Sequence, residues 1–241
     1  MRRPLVNMRV LVFAAHPDDE LIGVGGTIAR LSREGSEVLV VIFSRGGGGV
    51  AAEERLGEEE VEEARDAETA AVARLLGFRH RILGVREIID RREAVKEAVR
   101  LVREFKPHLV FTHSPWDHHH LHVSVSKVTT EAVWQASTRA YGQLGEPWRA
   151  GAVYYYEVWD LFTKPHLLVD ITPQLEVKVE AMKLYRTQLK VFPGITEYLR
   201  SLARVRGYLA GVEYAEAFLR SDSLPSVASS GAPFPRPPAA P

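Results

Sequence analysis

Apolar runs of strand length recur along the first half of the chain and are separated by longer amphipathic segments. Three runs are nearly continuous and rich in Val, Leu and Phe, at residues 8–15, 36–44 and 108–112. Continuous apolar runs are typical of strands that are buried on both faces, as in a parallel sheet. Shorter apolar segments predict three further strands, at residues 80–83, 152–156 and 166–170.

Helical patterns fill the intervals between these runs. Apolar residues three and four positions apart predict helices at residues 20–33, 58–76, 86–105, 123–138 and 174–190. Strands that alternate with helices form a sheet whose right-handed crossovers cover both of its faces. The sequence therefore predicts an α/β, Rossmann-like, three-layer α/β/α fold with a mostly parallel sheet.

The last 21 residues differ from the rest in composition, because they contain six of the chain's 14 prolines with Ser, Ala and Gly between them. Such a segment cannot bury enough apolar surface to fold by itself. We therefore expect a single domain over residues 1–220 and a flexible Pro-rich tail over residues 221–241.

Charge and cysteine content exclude several classes of function. Lys+Arg and Asp+Glu both number 31, so the formal net charge is zero and predicts no nucleic-acid partner. The chain has no cysteine, which excludes thiolate metal sites and a Cys nucleophile. No apolar run approaches the roughly 20 residues of a membrane helix. We expect a cytoplasmic protein without a membrane span, and the aromatic surface between Trp148 and Trp159 leaves room for a homo-oligomer.

Two of the predicted buried strands end in clusters of potential metal ligands. The first strand leads into the sequence HPDDE at residues 16–20, and the strand at 108–112 leads into a segment that carries five of the nine histidines. In open α/β sheets, ligands bind beyond the carboxyl ends of the strands. Imidazole and carboxylate groups without thiolates suit zinc or ferrous iron.

The spacing within the first cluster separates candidate ligands from a candidate base. If Pro17 occupies the first helical position, His16 and Asp19 are three residues apart and converge on one point. Asp18 then projects elsewhere, where a carboxylate can take a proton from a metal-activated water. Acidic residues at a helix start also favour the helix dipole, which accounts in part for Glu20 but not for His16.

Here the residues resemble a known family. The stretch AAHPDDELIGVGGTIARL at residues 14–31 is similar to the N-terminal signature of the LmbE-like (PIG-L) zinc deacetylases. The family's second motif, a His-x-x-His after the third strand, is matched by His119 and His122. Weaker similarities extend the resemblance over residues 8–219, at Arg65, Glu68, residues 170–172, Lys178, Gln188 and residues 214–218.

The resemblance implies a function and a role for each matching residue. It implies hydrolytic removal of the acetyl group from an N-acetylated amino sugar that contains N-acetylglucosamine. The zinc ligands implied are His16, Asp19 and His122. Asp18 would be the general base, and His119 would stabilise the oxyanion or protonate the leaving amine. Arg65 would bind substrate hydroxyls, although an exposed helical Arg is an alternative interpretation.

One position departs from the family pattern. The family commonly has Asp between the two histidines of the second motif, where this chain has Leu121. A carboxylate beside an imidazole raises its pKa and fixes its orientation, so this departure leaves the role of His119 open. Asp117 could substitute from the other side, or His118 or His120 could act as the acid in a different register.

Two other functions fit parts of the pattern. Two histidines and one carboxylate also form the facial triad of non-haem iron oxygenases, although such sites usually lie in all-β barrels. A zinc-stabilised, non-catalytic module for sugar binding or assembly is the second alternative, because Leu121 could signal a weakened acid catalyst.

Overall fold

Seven strands form one sheet in the computed structural model, which describes residues 7–47, 57–88 and 90–224. The strands are β1 (Arg9–Ala14), β2 (Glu37–Ile42), β3 (Arg79–Ile82), β4 (Leu109–His113), β5 (Ala152–Tyr156), β6 (Leu167–Asp170) and β7 (Ala215–Arg220). The six strands predicted from the sequence are confirmed, and β7 was not predicted. Glu216 interrupts the apolar pattern of β7 although its side chain is buried, so the segment does not resemble a buried strand.

The sheet order places β1 in the centre of the parallel part. The order is β3-β2-β1-β4-β5-β7-β6, with β1 to β5 parallel and β7 antiparallel to both of its neighbours. The chain leaves β1 toward β2 on one side and later returns to β4 on the other side. A crevice opens at the carboxyl ends of strands where the order reverses in this way. The two ligand clusters follow β1 and β4, so both reach this crevice.

Seven helices cover the sheet in the described part of the chain. They are α1 (Asp19–Arg33), α2 (Glu58–Leu76), α3 (Arg91–Phe105), α4 (His120–Ala136), α5 (Leu175–Met182), α6 (Arg186–Val191) and α7 (Ile195–Ala210). One core cluster joins the sheet to α1, α2, α5 and α7, and a second joins the opposite face to α3 and α4. The predicted three-layer α/β/α fold with a mostly parallel sheet is confirmed.

Three helix predictions need correction. The helix predicted from residue 86 begins at Arg91, because the Asp90 side chain accepts from the Arg92 and Glu93 backbone N–H groups (2.9 and 3.2 Å). The helix predicted over 174–190 divides into α5 and α6, with the buried Tyr185 between them. The prediction omitted α7, whose exposed Val205 blurs the apolar face that the sequence pattern would need.

A buried ion pair attaches the middle of α1 to β7. The Glu216 carboxylate accepts from the backbone N–H groups of Gly26 and Thr27, both at 2.7 Å, and from Lys178 Nζ at 2.6 Å. Lys178 Nζ also donates to the Ile22 carbonyl at 2.8 Å. Lys178 and residues 214–218 are thus the parts of the sequence that fix α1, which carries the HPDDE segment at its start.

The glycines of α1 allow that helix to lie close to its neighbours. A Cβ added at Gly23 would lie 2.2 Å from the Tyr156 ring, and one at Gly26 would lie 2.7–2.9 Å from three atoms of Ile171. Side chains do not approach to such distances, so only glycine fits at either position. This close packing is a consequence of the sequence GVGG.

The end of the described chain continues to pack on the sheet. Ser221 N–H donates to the Val153 carbonyl at 2.9 Å, and Leu224 is buried in the core cluster on the sheet face that α3 and α4 cover. The rest of the predicted Pro-rich tail, residues 225–241, lies outside the described residues. No helix in the described ranges is long and apolar enough to cross a membrane.

Candidate metal centre and active site

The three predicted zinc ligands meet at the carboxyl ends of β1 and β4. His16 lies in the turn after β1, Asp19 is the first residue of α1, and His122 lies in the first turn of α4. His16 Nδ1 is 3.3 Å from Asp19 Oδ2, His122 Nε2 is 3.3 Å from Asp19 Oδ1, and the two imidazole nitrogens are 3.3 Å apart. The structure therefore brings together two imidazoles and one carboxylate that could hold a metal ion.

Two further histidines border these ligands. Nitrogen and oxygen atoms within 4.8 Å of one another define two overlapping groups, His16 with His119 and His122, and Asp19 with His113 and His122. His113 Nε2 accepts from the Ala15 backbone N–H at 2.9 Å, so this nitrogen is already engaged. His113 therefore packs behind the ligands, with its ring stacked on that of His122 at 4.0 Å between centroids.

The charges around Asp19 favour its ionised form. Burial by itself would raise the pKa of this carboxyl, but the neighbouring His122 and His113 hold it well below its usual range. Burial lowers the pKa of His113 to about 4, so its ring is neutral at neutral pH. A carboxylate beside imidazoles is a donor set that catalytic zinc sites use.

Asp117 orients His122 from the side away from Asp19. Its Oδ1 accepts from His122 Nδ1 at 3.1 Å and from the His119 backbone N–H at 2.9 Å. Its Oδ2 accepts from the Trp159 backbone N–H at 3.3 Å. A carboxylate that accepts from Nδ1 leaves Nε2 free to bind a metal, and such partners usually set the orientation of a ligating His. Asp117 thus contacts the His122 ring, and it contacts His119 only through the backbone.

Asp18 lies beside the ligands in a strained backbone conformation. Its φ of 112° is sterically unfavourable for a residue with a Cβ, and only 4% of the residue is exposed. Its N–H donates to Glu20 Oε2 at 3.1 Å. Burial raises the pKa of Asp18 well above its usual range, and the Arg65 guanidinium opposes that shift. A strained, buried carboxylate next to candidate metal ligands is a feature that typically marks a functional site.

Arg65 of α2 and Gln188 of α6 contact the Asp18 carboxylate. Arg65 Nη2 is 3.7 Å from Asp18 Oδ2 and donates to the Pro17 carbonyl, while Nη1 donates to the Gly46 carbonyl at 2.6 Å. In the amide orientation that satisfies both partners, Gln188 donates to Asp18 Oδ2 and accepts from Arg65 Nη1, each at 2.9 Å. Arg65 is therefore a buried side chain rather than an exposed helical one.

A second buried network lies behind Asp18. Glu20 Oε1 accepts from the Tyr185 hydroxyl at 2.6 Å, and Glu20 is fully buried. The Tyr185 hydroxyl is also 3.4 Å from Thr69 Oγ1 in α2. The carboxylate that holds the Asp18 backbone is thus itself held by Tyr185, whose hydroxyl in turn contacts α2.

His119 caps the start of α4 with its ring. His119 Nδ1 accepts from the Leu121 backbone N–H at 3.2 Å, which leaves the proton of the neutral imidazole on Nε2. Burial, together with the charges of His16 and His122, lowers the pKa of His119 to about 4. The helix start therefore sets the tautomer of this ring, without a carboxylate at position 121, where the Leu121 side chain is buried in the core beside α3.

A cavity of about 410 Å³ opens onto this cluster. The predicted residues that line it are His16, Asp18, Asp19, Arg65, His119 and His122, joined by His120 and Leu121. His118 is exposed and is not part of the lining. The structure thus places every predicted site residue around one cavity. The chemical role of each residue stays a prediction.

Comparison with known proteins decides the family. The sequence model of the PIG-L family, described as GlcNAc-PI de-N-acetylase, matches residues 11–133. The chain is also 31% identical to 1D-myo-inositol 2-acetamido-2-deoxy-alpha-D-glucopyranoside deacetylase from Rhodococcus erythropolis, over 80% of this chain and 85% of that protein. The chain belongs to the PIG-L family. The resemblance seen in the sequence is confirmed.

Solved structures agree with the PIG-L fold. The N,N'-diacetylchitobiose deacetylase from Pyrococcus horikoshii, crystallised with an inhibitor, is 31% identical with a TM-score of 0.79, over 90% of this chain and 84% of that chain. The 4-carboxy-2-hydroxymuconate hydratase GalB from Pseudomonas putida has a TM-score of 0.80 at 24% identity, over 92% of this chain and 98% of that chain. The hydratase shows a shared fold alone, so the fold does not by itself select a reaction.

Several residues of this PIG-L site were not among the predicted site residues. In the sequence, Gln188 was recognisable only as a family similarity, and no motif assigned Tyr185 or Thr69 to the site. These residues follow no ligand motif, and they reach Asp18 through the packing of α2 and α6. His113 and Asp117 were visible as members of the histidine-rich segment, but their roles depend on which nitrogen atom each one contacts.

Proposed function

We propose that this PIG-L protein is a zinc-dependent N-deacetylase that hydrolyses the acetamide of an amino sugar containing N-acetylglucosamine. The observation that carries the proposal is the position of Asp18. It is a buried carboxylate beside the candidate ligands His16, Asp19 and His122, and it lines the same cavity. The deacetylase names of the R. erythropolis and P. horikoshii relatives support the same reaction class and substrate.

The three candidate ligands fit zinc. Atoms at the corners of a tetrahedron around zinc, each at about 2.0 Å from the ion, are separated by about 3.3 Å. His16 Nδ1 and His122 Nε2 are 3.3 Å apart, as two such corners require, and each of them lies 3.3 Å from one of the two oxygens of Asp19. When bound, zinc supplies a water of lowered pKa and polarises the carbonyl of the substrate.

Asp18 is the proposed general base. Burial raises its pKa, which makes the carboxylate a stronger acceptor for a proton that it takes from water and later returns to the leaving amine. Arg65 and Gln188 both contact its Oδ2, so they fix the direction of the carboxylate. The contact of Arg65 with substrate hydroxyls stays a prediction. Both of its Nη atoms already donate to backbone carbonyls of the protein.

His119 is the proposed hydrogen-bond donor to the oxygen that becomes negative as water adds to the carbonyl. Its Nδ1 is occupied by the Leu121 N–H, so Nε2–H is the donor that remains. With its pKa lowered to about 4, the ring is neutral and stabilises charge without giving up its proton. The leaving amine then takes its proton from Asp18. Of the two roles predicted for His119, we therefore propose stabilisation of the oxyanion and not protonation of the leaving amine.

The non-catalytic alternative predicts a different arrangement around the ligands. A purely structural zinc site is usually closed by four protein ligands, whereas a catalytic site keeps one position for water or substrate. Here three candidate ligands border a cavity of about 410 Å³, which favours catalysis. A soluble, cytoplasmic location and a homo-oligomer remain expectations from the sequence.

The decisive experiment measures acetate release and metal content on the same samples. Protein stripped of metal and reloaded with zinc is assayed with N-acetylglucosamine, diacetylchitobiose and a glycoside of N-acetylglucosamine. We expect release only after reloading, one zinc per chain in wild type, and loss of both zinc and activity in His122→Ala. We expect His119→Ala to keep zinc and to lose activity by roughly 10²–10³-fold, as expected when an oxyanion donor is removed.

His118→Ala is the matched control, since His118 is adjacent in sequence but outside the cavity lining. It should keep both zinc and activity. Loss of activity in His118→Ala with His119→Ala unaffected would favour the alternative register of the second motif. Stoichiometric zinc without release from any acetamide would contradict the deacetylase proposal and favour the non-catalytic module.

A further inference from the structure

Two aromatic side chains lie on the wall of the cavity, near the candidate metal ligands. Trp159 and Phe192 both line it, with ring centroids 5.3 Å apart and ring planes inclined at 45°. Phe192 is 36% exposed and Trp159 is half-buried, so both rings present apolar surface to the cavity. Val191 extends this surface at the end of α6. We name Trp159, Val191 and Phe192 the aromatic wall.

The aromatic wall is connected to the reacting groups by short links. The Trp159 backbone N–H donates to Asp117 Oδ2 at 3.3 Å, and Asp117 Oδ1 in turn accepts from the ligand His122. Phe192 follows Gln188 by one helical turn, and its N–H donates to the Gln188 carbonyl at 2.8 Å. Gln188 contacts Asp18. Each ring is therefore held at a defined position relative to the ligands or the base.

Tyr198 supports Trp159 from behind. Their ring centroids are 6.1 Å apart, and the Tyr198 hydroxyl donates to the Val158 carbonyl at 2.8 Å. A ring packed in this way keeps its orientation when a ligand arrives, which reduces the conformational entropy lost on binding.

The lining of the cavity away from the metal ligands has a different character. It includes Glu58, Glu62, Arg86 and Glu87, and Arg86 pairs with Glu58 at 2.6 Å and with Glu62 at 3.4 Å. The cavity thus combines an apolar aromatic wall with a charged, hydrogen-bonding one. A pyranose ring matches this combination, because its axial C–H bonds form an apolar face while its equatorial hydroxyls point outward.

We propose that the aromatic wall is the binding site for the pyranose ring of the substrate and that it selects the gluco configuration. This inference rests on the proposed deacetylase function and adds the residues that recognise the sugar. In the gluco configuration the hydroxyls are equatorial and leave both ring faces free to pack on Trp159 or Phe192. In the galacto configuration the axial 4-hydroxyl projects from one face of the ring. A sugar that packs this face on Trp159 or Phe192 therefore loses part of the apolar contact.

The test compares Trp159→Ala and Phe192→Ala with wild type on three probes. These are the methyl glycoside of N-acetylglucosamine, that of N-acetylgalactosamine, and the acyclic acetamide N-acetylethanolamine. Loss of roughly 50–60 Å² of apolar contact corresponds to about a tenfold rise in KM for the gluco probe. We expect kcat and zinc content to stay near wild type, and the gluco-over-galacto ratio of kcat/KM to fall in both variants.

The acyclic probe and a remote variant provide the controls. The KM for N-acetylethanolamine should not change in either variant, because it has no ring to pack on the wall. Trp134→Ala removes a tryptophan that is 51% exposed on α4 and outside the cavity lining, so it should behave as wild type on every probe.

The outcomes separate this inference from the proposed function. No acetate release by zinc-loaded wild type from any probe overturns the proposed function, and the inference falls with it. An active wild type whose variants keep the same KM for the gluco probe overturns the aromatic wall alone. Loss of zinc in Trp159→Ala together with an unchanged KM in Phe192→Ala also overturns it, since Trp159 would then act only by supporting Asp117.

Discussion

The strained backbone at Asp18 gives a prediction in which two variants lose activity equally but differ in stability. Asp18→Ala and Asp18→Gly both remove the carboxylate that we propose as the general base. Loss of a general base lowers the rate by roughly 10²–10⁴-fold, so both variants should be nearly inactive. Both should keep one zinc per chain, because the donor contacts of 3.3 Å among the proposed ligands do not involve Asp18.

The two variants should differ in stability, because they differ only by one Cβ at a position with φ of 112°. A Cβ in the left-handed region costs about 1–2 kcal/mol. Glycine loses about 0.5–1 kcal/mol more backbone entropy on folding than alanine does. The difference leaves Asp18→Gly more stable than Asp18→Ala by about 1 kcal/mol, equivalent to about 2–4 °C in Tm for a chain of this size.

The assay is thermal unfolding of zinc-loaded protein, combined with metal analysis and acetate release. Both variants lose the same contacts to Arg65 and Gln188, so those losses cancel in the comparison. An Asp18→Ala variant as stable as Asp18→Gly would show that the backbone is not strained. Loss of zinc in either variant would make Asp18 a ligand and would refute its assignment as the base.

Two further predictions concern the packing that positions α1. Lys178→Met leaves the Glu216 carboxylate buried without its cation and should destabilise the protein by about 3–5 kcal/mol in urea unfolding. Lys178→Met combined with Glu216→Gln should recover part of that loss. Equal stability of the single and double variants would contradict the ion-pair argument. Gly26→Ala should cost about 1–3 kcal/mol, because the new Cβ would lie within 2.9 Å of Ile171. Gly142→Ala is its control, with nothing within 4 Å, and should leave the Tm unchanged or slightly higher.

Other groups hold the two motif histidines in this chain, which has Leu121 where the family commonly has Asp. The tautomer of His119 is set by the start of α4, through the Leu121 N–H, and the orientation of His122 is set by Asp117. The Leu121 backbone N–H and the carboxylate of Asp117, two residues before the motif, make these contacts. Leu121 can therefore pack in the core while the two histidines still face the cavity.

The sequence by itself determined the fold class and the location of the site. Continuous apolar runs identified β1, β2 and β4, since a strand buried on both faces tolerates few polar residues. The HPDDE segment and the histidine-rich segment were recognisable because a metal site needs specific residue types close to strand ends. The spacing also predicted that His16 and Asp19 converge, and they lie 3.3 Å apart. The assumed reason was wrong, because α1 begins at Asp19 and Pro17 is not its first helical residue.

Only the tertiary structure decided which distant groups surround these residues. His16 and His122 are 106 positions apart, and Glu20 and Tyr185 are 165 positions apart, yet each pair is in contact. Such pairs depend on the order of strands in the sheet and on the packing of α2 and α6, which periodicity does not encode. The positive φ of Asp18 is likewise stabilised by buried partners from remote segments. The motif therefore specified the candidate ligands and the candidate base, and the packing of remote helices determined their geometry.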